Sequence, residues 1–342
     1  MPPVEIIVGL LIVCFTLYEI FRTVVFPHWN PGKFRISPMF IGLVIWPVWK
    51  ALAKRIRSAS LRELLLASYA PLSIMFLLVI WIILLEVGFA FILIGCADST
   101  KPAFSSFWDA LLCVGESLFT LGFDERTPVG IVPRFLLLIA AFFGIGAMAL
   151  IISFLFALYS ALVSRESRVI LIHAQSGAPP SGLKLLLSYA DLGLKSDLPG
   201  AFDTWHNWVA EMLEIHRACP VLLFFRSAEP EVSWVSALYA VLDASAIFLS
   251  SLELESKGYA TLLHKTGSKT AYDLSLSLGP SDRRSDLSKA DFDAGLKLLE
   301  KAGYKLASET DKYEKFLQLR SSYAPHLESM IEHLSHASAG WC

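Results

Sequence analysis

The sequence predicts an all-α membrane protein with a mainly helical soluble half. Of its 342 residues, 55% are hydrophobic and 18% are charged, whereas a soluble domain averages about 45–50% apolar and about 25% charged residues. The long apolar runs lie in residues 1–163, and most charged residues lie in residues 164–342. This asymmetry predicts a transmembrane domain over 1–163 and a separate helical domain over 164–342.

Three apolar stretches are long enough to cross a bilayer. A helix needs about 20 apolar residues to cross the hydrocarbon, and we predict spans over residues 4–26, 64–95 and 131–163. Glu86 lies deep within the second span, where ionisable side chains usually face the protein interior. We expect it to be a pore-lining or pH-sensing group, or else a buried structural glutamate.

A fourth apolar stretch, residues 39–49, is too short to span and predicts an interfacial or membrane-inserted helix. Basic residues flank it on both sides, and the positive-inside rule then places residues 27–63 at the cytoplasmic face. The topology predicted for this multi-pass cell-membrane protein has the N-terminus and residues 96–130 outside. The domain formed by residues 164–342 is then cytoplasmic.

The stretch between the second and third spans, residues 104–128, predicts a re-entrant loop. Ser105 or Ser106 can cap a short helix that has Asp109 in its first turn. This helix is too short to cross the bilayer, and Thr-Leu-Gly-Phe follows it at residues 120–123. Since non-helical backbone at membrane depth is tolerated only inside protein or beside water, the pattern predicts a pore loop.

At these residues the sequence resembles the potassium-channel superfamily, whose filter reads Thr-Val-Gly-Tyr-Gly-Asp and is usually followed by Thr-Pro. The resemblance implies an outer span, a pore helix, a selectivity filter and an inner span, here with an extra N-terminal span. The six filter positions are taken by Thr120, Leu121, Gly122, Phe123, Asp124 and Glu125, and Thr127-Pro128 closes the loop.

Two further residues extend the resemblance upstream of the filter. Glu116-Ser117 matches a Glu-Thr pair of a proton-gated bacterial potassium channel, in which the glutamate sits behind the filter and pairs with the aspartate that ends it. The resemblance gives these supporting roles to Glu116 and Glu125. Asp124 departs from the pattern because it replaces the second filter glycine, and Phe119 replaces a common threonine just before the filter.

The chemistry implied by the filter is the replacement of an ion's water shell by backbone carbonyls and the threonine hydroxyl. Glycine permits the backbone turns that aim those carbonyls inward. We therefore expect K⁺ or Na⁺ as the permeant ion, with no cofactor and no other metal. Because one loop per chain cannot surround a pore, the resemblance also implies a homotetramer in a lipid bilayer.

Gly144 and Gly146 lie near the middle of the third span. Inner helices of potassium channels often bend at a glycine, so these residues are candidates for a gating hinge. Alternatively, they provide close helix packing together with Ala147. Both interpretations stay open from the sequence.

The second half of the chain shows helical periodicity and little chemistry. Trp205 and Trp208 are core residues or a ligand platform, and Glu211, Glu214 and His216 form a solvated face or a metal site. Arg226 and Asp243 are expected to form a buried pair. The ligand or partner of this domain is unknown. The predicted helices cover residues 181–189, 202–216, 234–254, 290–302 and 311–334.

The leading hypothesis is a tetrameric channel for passive conduction of monovalent cations. The alternative is a non-conducting membrane sensor or scaffold with a degenerate pore fold, which Asp124 and Phe119 favour. No nucleophile, base and orienting group converge in the sequence, so we predict neither catalytic residues nor an enzyme. A net charge of −2 provides no basic field for nucleic acid.

Overall fold

Helices make up most of the structure, which confirms the predicted all-α fold class. The chain divides into two compact units, Met1–Leu52 with Ser68–Ser160 and Ala53–Ala67 with Ala161–Cys342. We call them the membrane unit and the helical unit. The structure is a computed structural model, and it describes residues 2–24, 45–96, 100–123, 126–227, 232–253, 256–276, 278, 287–336 and 338–341.

Three long apolar helices correspond to the predicted spans: α1 (Pro2–Val24), α3 (Ala59–Gly95) and α5 (Ile131–Ser176). Each has the length and composition to cross a membrane. Helices α3 and α5 extend beyond the predicted spans because the polar residues that flank the apolar runs continue the same helices. Residues 39–44 of the predicted interfacial helix lie outside the described residues, and residue 46 begins helix α2 (Trp46–Arg55).

Helices α1 and α3 pack through glycines. A Cβ atom added to Gly9 would lie 2.5 Å from the carbonyl oxygen of Gly88, so no larger side chain fits between the two backbones. Small residues at a crossing allow apolar helices to gain dispersion contacts where the hydrophobic effect cannot drive association. The N-terminal helix is therefore an integral part of the membrane unit.

The helical unit is built around helix α8 (Trp234–Ser251), which is buried along its whole length. This helix is apolar enough to resemble a membrane span, but protein covers every residue and leaves no face for lipid. The helices around it are α6 (Gly182–Asp191), α7 (Leu198–Ala218), α9 (Gly258–Ser275), α10 (Lys289–Lys301), α11 (Lys312–Arg320) and α12 (Ala324–Leu334), with short 3₁₀ helices at Lys195–Asp197 and Pro220–Phe224. Helix α8 packs against α6, α9, α11 and α12.

Four of the five helices predicted in this unit are confirmed within a few residues, and the fifth is wrong as a single helix. The stretch 311–334 divides into α11 and α12 at a turn, where Pro325 lies at the start of α12 and cannot continue the preceding helix. Helix α9 was not predicted, because Gly267 and its polar neighbours obscure the periodicity. A Cβ atom on Gly267 would lie 2.3 Å from Cδ2 of Leu242, so this glycine permits close packing.

A network of buried polar side chains crosses the core of the helical unit. The Asp243 carboxylate lies 3.4 Å from the Arg320 guanidinium and accepts a hydrogen bond from the Tyr323 hydroxyl. Tyr239 donates to Glu328 at 3.0 Å. Because buried charges need a partner to offset their desolvation, these contacts fix α8, α11 and α12 in one arrangement.

The predicted pair of Arg226 and Asp243 is wrong. Arg226 instead forms an ion pair with Glu63 at 2.9 Å and donates to the Ser335 carbonyl at 2.8 Å. Ser335 directly follows α12, and a helix C-terminus attracts a cation through its partial negative charge. Glu63, which lies in the first turns of α3, and the C-terminal end of α12 thus provide the partners of the Arg226 guanidinium in place of Asp243.

Arg165 is a second arginine that is held by the helical unit. Its guanidinium is buried and donates to the carbonyls of Leu222 and Phe225 at 2.8 and 3.0 Å. It also lies over the ring of Trp234, against which His216 packs. Burial and the Arg165 charge lower the pKa of His216 to about 3, so that imidazole is neutral near pH 7.

Gly182 provides a stability test of the helical unit. A Cβ atom there would lie 2.5 Å from the backbone nitrogen of Ala244 on α8, and backbone cannot move aside as a flexible side chain can. We expect Gly182→Ala to lower the free energy of unfolding by about 1–3 kcal/mol, measured by hydrogen exchange of α6 and α8 in the full-length protein in detergent.

The matched control is Gly200→Ala in α7, where a Cβ atom meets nothing within 4 Å. Alanine is the better helix former, so this variant should be as stable as the wild type or up to about 1 kcal/mol more stable. Equal protection of α6 and α8 in both variants would contradict the packing described for Gly182.

Candidate pore site

The loop between α3 and α5 contains the short helix that the sequence predicts, α4 (Phe107–Leu118). Ser106 caps its N-terminus in a capping box with Asp109, which confirms one of the two predicted caps. Hydrogen bonds from Ser105 and the charge of Arg126 hold the pKa of Asp109 below its usual value. The ionised carboxylate therefore stays at the positive end of the helix, where it is stabilising.

Two contacts close the loop around the filter segment. The Arg126 guanidinium, on the far side of that segment, lies 3.1 Å from the Asp109 carboxylate. Beside it, strand β1 (Thr100–Lys101) pairs antiparallel with strand β2 (Thr127–Pro128). The ion pair of Asp109 and Arg126 was not predicted from the sequence. The opposite charges on the two sides of the filter segment could have indicated it.

The C-terminus of α4 ends in a Schellman motif. The Leu121 N–H donates to the Glu116 carbonyl at 2.8 Å, and the Thr120 N–H donates to the Ser117 carbonyl at 3.2 Å. This motif places a left-handed residue, usually glycine, just after the helix. Thr120 takes that position with φ of +55°, where a β-branched residue is an outlier and stores strain at the first filter position.

The remaining described filter residues are open to their surroundings. Gly122 has φ of +71° and no atom within 4 Å of an added Cβ, so its backbone conformation rather than crowding requires glycine. Leu121 is exposed, and the Phe123 side chain is 77% exposed. The predicted filter residue Asp124 and the supporting Glu125 lie outside the described residues, and the proposed pairing of Glu125 with Glu116 stays a prediction.

An open groove of about 590 Å³ lies beside the filter segment. It brings together predicted site residues Glu116, Ser117, Thr120 and Gly122 from the end of α4 and the segment that follows. Pro128 also borders this groove, and its carbonyl accepts a hydrogen bond from Arg134 at the start of α5. The last turn of α4 and the first turns of α5 therefore share one surface.

The two candidate hinge glycines have different surroundings. A Cβ atom on Gly144 would lie 2.1 Å from the Leu118 carbonyl oxygen, so the end of α4 rests directly on the inner helix. A Cβ atom on Gly146 would meet nothing within 4 Å. Gly144 therefore serves close packing, while a gating bend at either residue stays a prediction, because α5 is one continuous helix from residue 131 to 176.

Helix α3 supports α4 from another side. The Oε1 atom of Glu86 lies 2.6 Å from the place that a Cβ atom on Gly115 would occupy. The carboxyl group thus lies against the backbone of α4, one turn before its end. The pore-lining and pH-sensing roles considered for Glu86 stay predictions.

The comparison with known families agrees with this arrangement of helices. Residues 76–161 match the family model described as "Ion channel", a match that runs from the middle of α3 through α4 and the filter segment into α5. Residues 76–161 are therefore similar to the pore-loop domains of the potassium-channel superfamily. No curated protein and no solved structure matches this chain significantly.

The strained conformation of Thr120 generates a test of the candidate filter. Glycine adopts a positive φ without the steric cost of about 1–2 kcal/mol that other residues incur, so Thr120→Gly should raise the thermal stability of the protein in detergent. The same change removes the hydroxyl, and we expect it to abolish cation flux in liposomes.

Thr120→Ser is the matched control because it keeps both a hydroxyl and the need for a positive φ. Flux close to the wild-type rate is expected for this variant. Normal flux in Thr120→Gly, or its loss in Thr120→Ser, would contradict a role for this hydroxyl in the filter.

The contrast between Gly144 and Gly146 generates a second test. Gly144→Ala forces the end of α4 away from the inner helix, and we expect liposome flux to fall by about tenfold or more, as overpacking against rigid backbone leaves no relaxed alternative. Gly146→Ala should leave flux within about twofold of the wild type, since the added methyl meets open space.

Single-channel recordings of both variants distinguish close packing at Gly144 from a gating bend at Gly146. Normal flux in Gly144→Ala would contradict the packing of α4 on α5. An altered open probability in Gly146→Ala alone would place a bend at that residue instead.

Proposed function

We propose that four copies of this chain form a passive channel for monovalent cations, K⁺ or Na⁺, lined by the carbonyls of residues 120–124. The observation that carries the proposal is the capped helix α4, whose Schellman end leads into two positive-φ positions, Thr120 and Gly122, that are separated by one residue. Carbonyls and a threonine hydroxyl in that arrangement can replace the water around a cation.

The two faces of α4 support an assembly of several copies. Ala110, Val114 and Leu118 are buried on one face, whereas Trp108 and Leu112 on the other are 70% and 63% exposed. A helix that ends inside the bilayer has terminal polar groups that lipid cannot satisfy. The exposed face is therefore better covered by neighbouring copies than by lipid.

The charges around the filter support cations over anions. The C-terminal end of α4 carries a partial negative charge, and Glu116 lies in its last turn. Arg126 is paired with Asp109, so its positive charge is offset. A ring of Asp124 carboxylates at the mouth of a tetramer would attract cations further.

We further propose that the helical unit is cytoplasmic and regulates conduction. Helices α3 and α5 each contribute residues to both units. In the helical unit, Arg226 forms an ion pair with Glu63 of α3. Arg165 of α5 donates hydrogen bonds to the carbonyls of Leu222 and Phe225. A rearrangement at these contacts would act on the two helices that flank the filter.

The reversal potential in mixed potassium and sodium solutions tests conduction and selectivity together. Purified full-length protein in planar bilayers should pass a current that reverses at a potential set by K⁺ or Na⁺, or by both. A current that follows the chloride gradient, or no current under varied pH, voltage and lipid composition, would contradict the proposal.

Thr120→Cys distinguishes a channel from a non-conducting scaffold with the same fold. Small permeant thiol reagents should label this cysteine, because the filter entrance is filled with water in a channel. Absence of labelling in folded, oligomeric protein would favour the scaffold.

A further inference from the structure

A cavity of about 120 Å³ lies within the helical unit, between α5, α6 and α7. Its residues on α5 follow the spacing of a single helical face, i, i+3, i+4 and i+7, and the residues on α7 repeat this spacing. The cavity is therefore a gap between two facing helices rather than an irregularity of a loop. The α5 residues are Arg168, Leu171, Ile172 and Gln175.

The walls of the cavity are mainly apolar and aromatic. Trp205 and Trp208 of α7 are buried in the core, as the sequence predicts, and both also border the cavity. Tyr189 of α6 contacts Trp205 edge-on at 6.1 Å between ring centroids. Such walls favour a flat apolar body, since aromatic rings pack edge-to-face or offset on one another.

Arg168 gives the cavity a positive charge at its rim. In contrast to the buried Arg165 three residues earlier, Arg168 is exposed. Among the residues that the structure describes, no carboxylate forms an ion pair with it. A guanidinium binds a carboxylate through two parallel hydrogen bonds. The rim of the cavity therefore favours a ligand that carries a carboxylate on its flat apolar part.

The volume limits the size of the ligand. A bound water needs about 15 Å³ of cavity volume. The cavity of about 120 Å³ therefore has room for a ligand of roughly eight to ten non-hydrogen atoms. We infer that the cavity between α5, α6 and α7 binds a small aromatic carboxylate. Its ring would lie against Trp205 and Trp208, and its carboxylate would pair with Arg168.

Binding at this place would regulate the pore, because α5 continues from the membrane unit into the cavity wall. A ligand that joins α5 to α7 stabilises one arrangement of the inner helix relative to the helical unit's core. This regulatory role rests on the proposed channel function, whereas the binding site itself does not.

Equilibrium dialysis of radiolabelled benzoate against the full-length protein in detergent tests the site. We expect saturable binding of one benzoate per chain, with a Kd below about 10 mM. Arg168→Gln should weaken binding about tenfold or more, the usual effect of losing a charge-assisted pair. Ala201→Phe, at another residue that borders the cavity, should abolish binding by filling the space.

Arg57→Gln is the matched control, because it removes the same charge from another exposed residue of the helical unit and should leave binding unchanged. Unlabelled benzylamine, a cation of similar shape, should not compete. The inference is overturned if benzoate does not bind saturably, if Arg168→Gln binds as tightly as Arg57→Gln, or if benzylamine competes equally.

The outcomes for binding and for conduction are separable. Benzoate binding with no ion flux would support the binding site and contradict the proposed channel function. Ion flux without benzoate binding would support the channel function and contradict the binding site. Both measurements use the same purified protein, so a folding defect in one sample would be visible in both.

Discussion

The arrangement of the membrane unit depends on how the C-terminal end of α4 is held. The missing side chain at Gly144 lets the Leu118 carbonyl rest on the inner helix, and the Schellman motif at Thr120 then turns the chain out of the helix. These two constraints fix where the helix ends and the direction in which residues 120–123 leave it. The capping box at Ser106 and the ion pair with Arg126 fix the opposite end of the loop.

Features that arise from local chemistry could be predicted from the sequence. The lengths of the apolar runs predict α1, α3 and α5, and a serine three residues before Asp109 predicts the start of α4. The filter motif rests on six consecutive residues. None of these features requires knowledge of what lies next to them in space.

Features that depend on distant contacts could not be predicted. Gly144 and Gly146 look equivalent along the chain, and only the position of Leu118 distinguishes them. Arg226 has Asp243 as an obvious partner of opposite charge, but the end of α12 and Glu63 lie nearer. Helix α9 escaped prediction because Gly267, which packs closely against Leu242 of α8, weakens the helical pattern.

The helical unit binds segments of the same helices that flank the filter. Arg165 and Arg226 anchor α5 and α3 to its core through buried hydrogen bonds and an ion pair, which are costly to leave unsatisfied. A cavity bordered by α5 and by two tryptophans lies in the same unit. Under the proposals made here, a ligand bound in this cavity would act on α5 without contacting residues 120–123.

A density map of the assembled protein in potassium or thallium solution tests the central claim most directly. We predict four copies around one axis, with ion density on that axis beside the backbone of Thr120 and Gly122. A map in which this segment lies away from any symmetry axis, or in which α4 lies flat outside the bilayer, would contradict the assignment of a conducting pore.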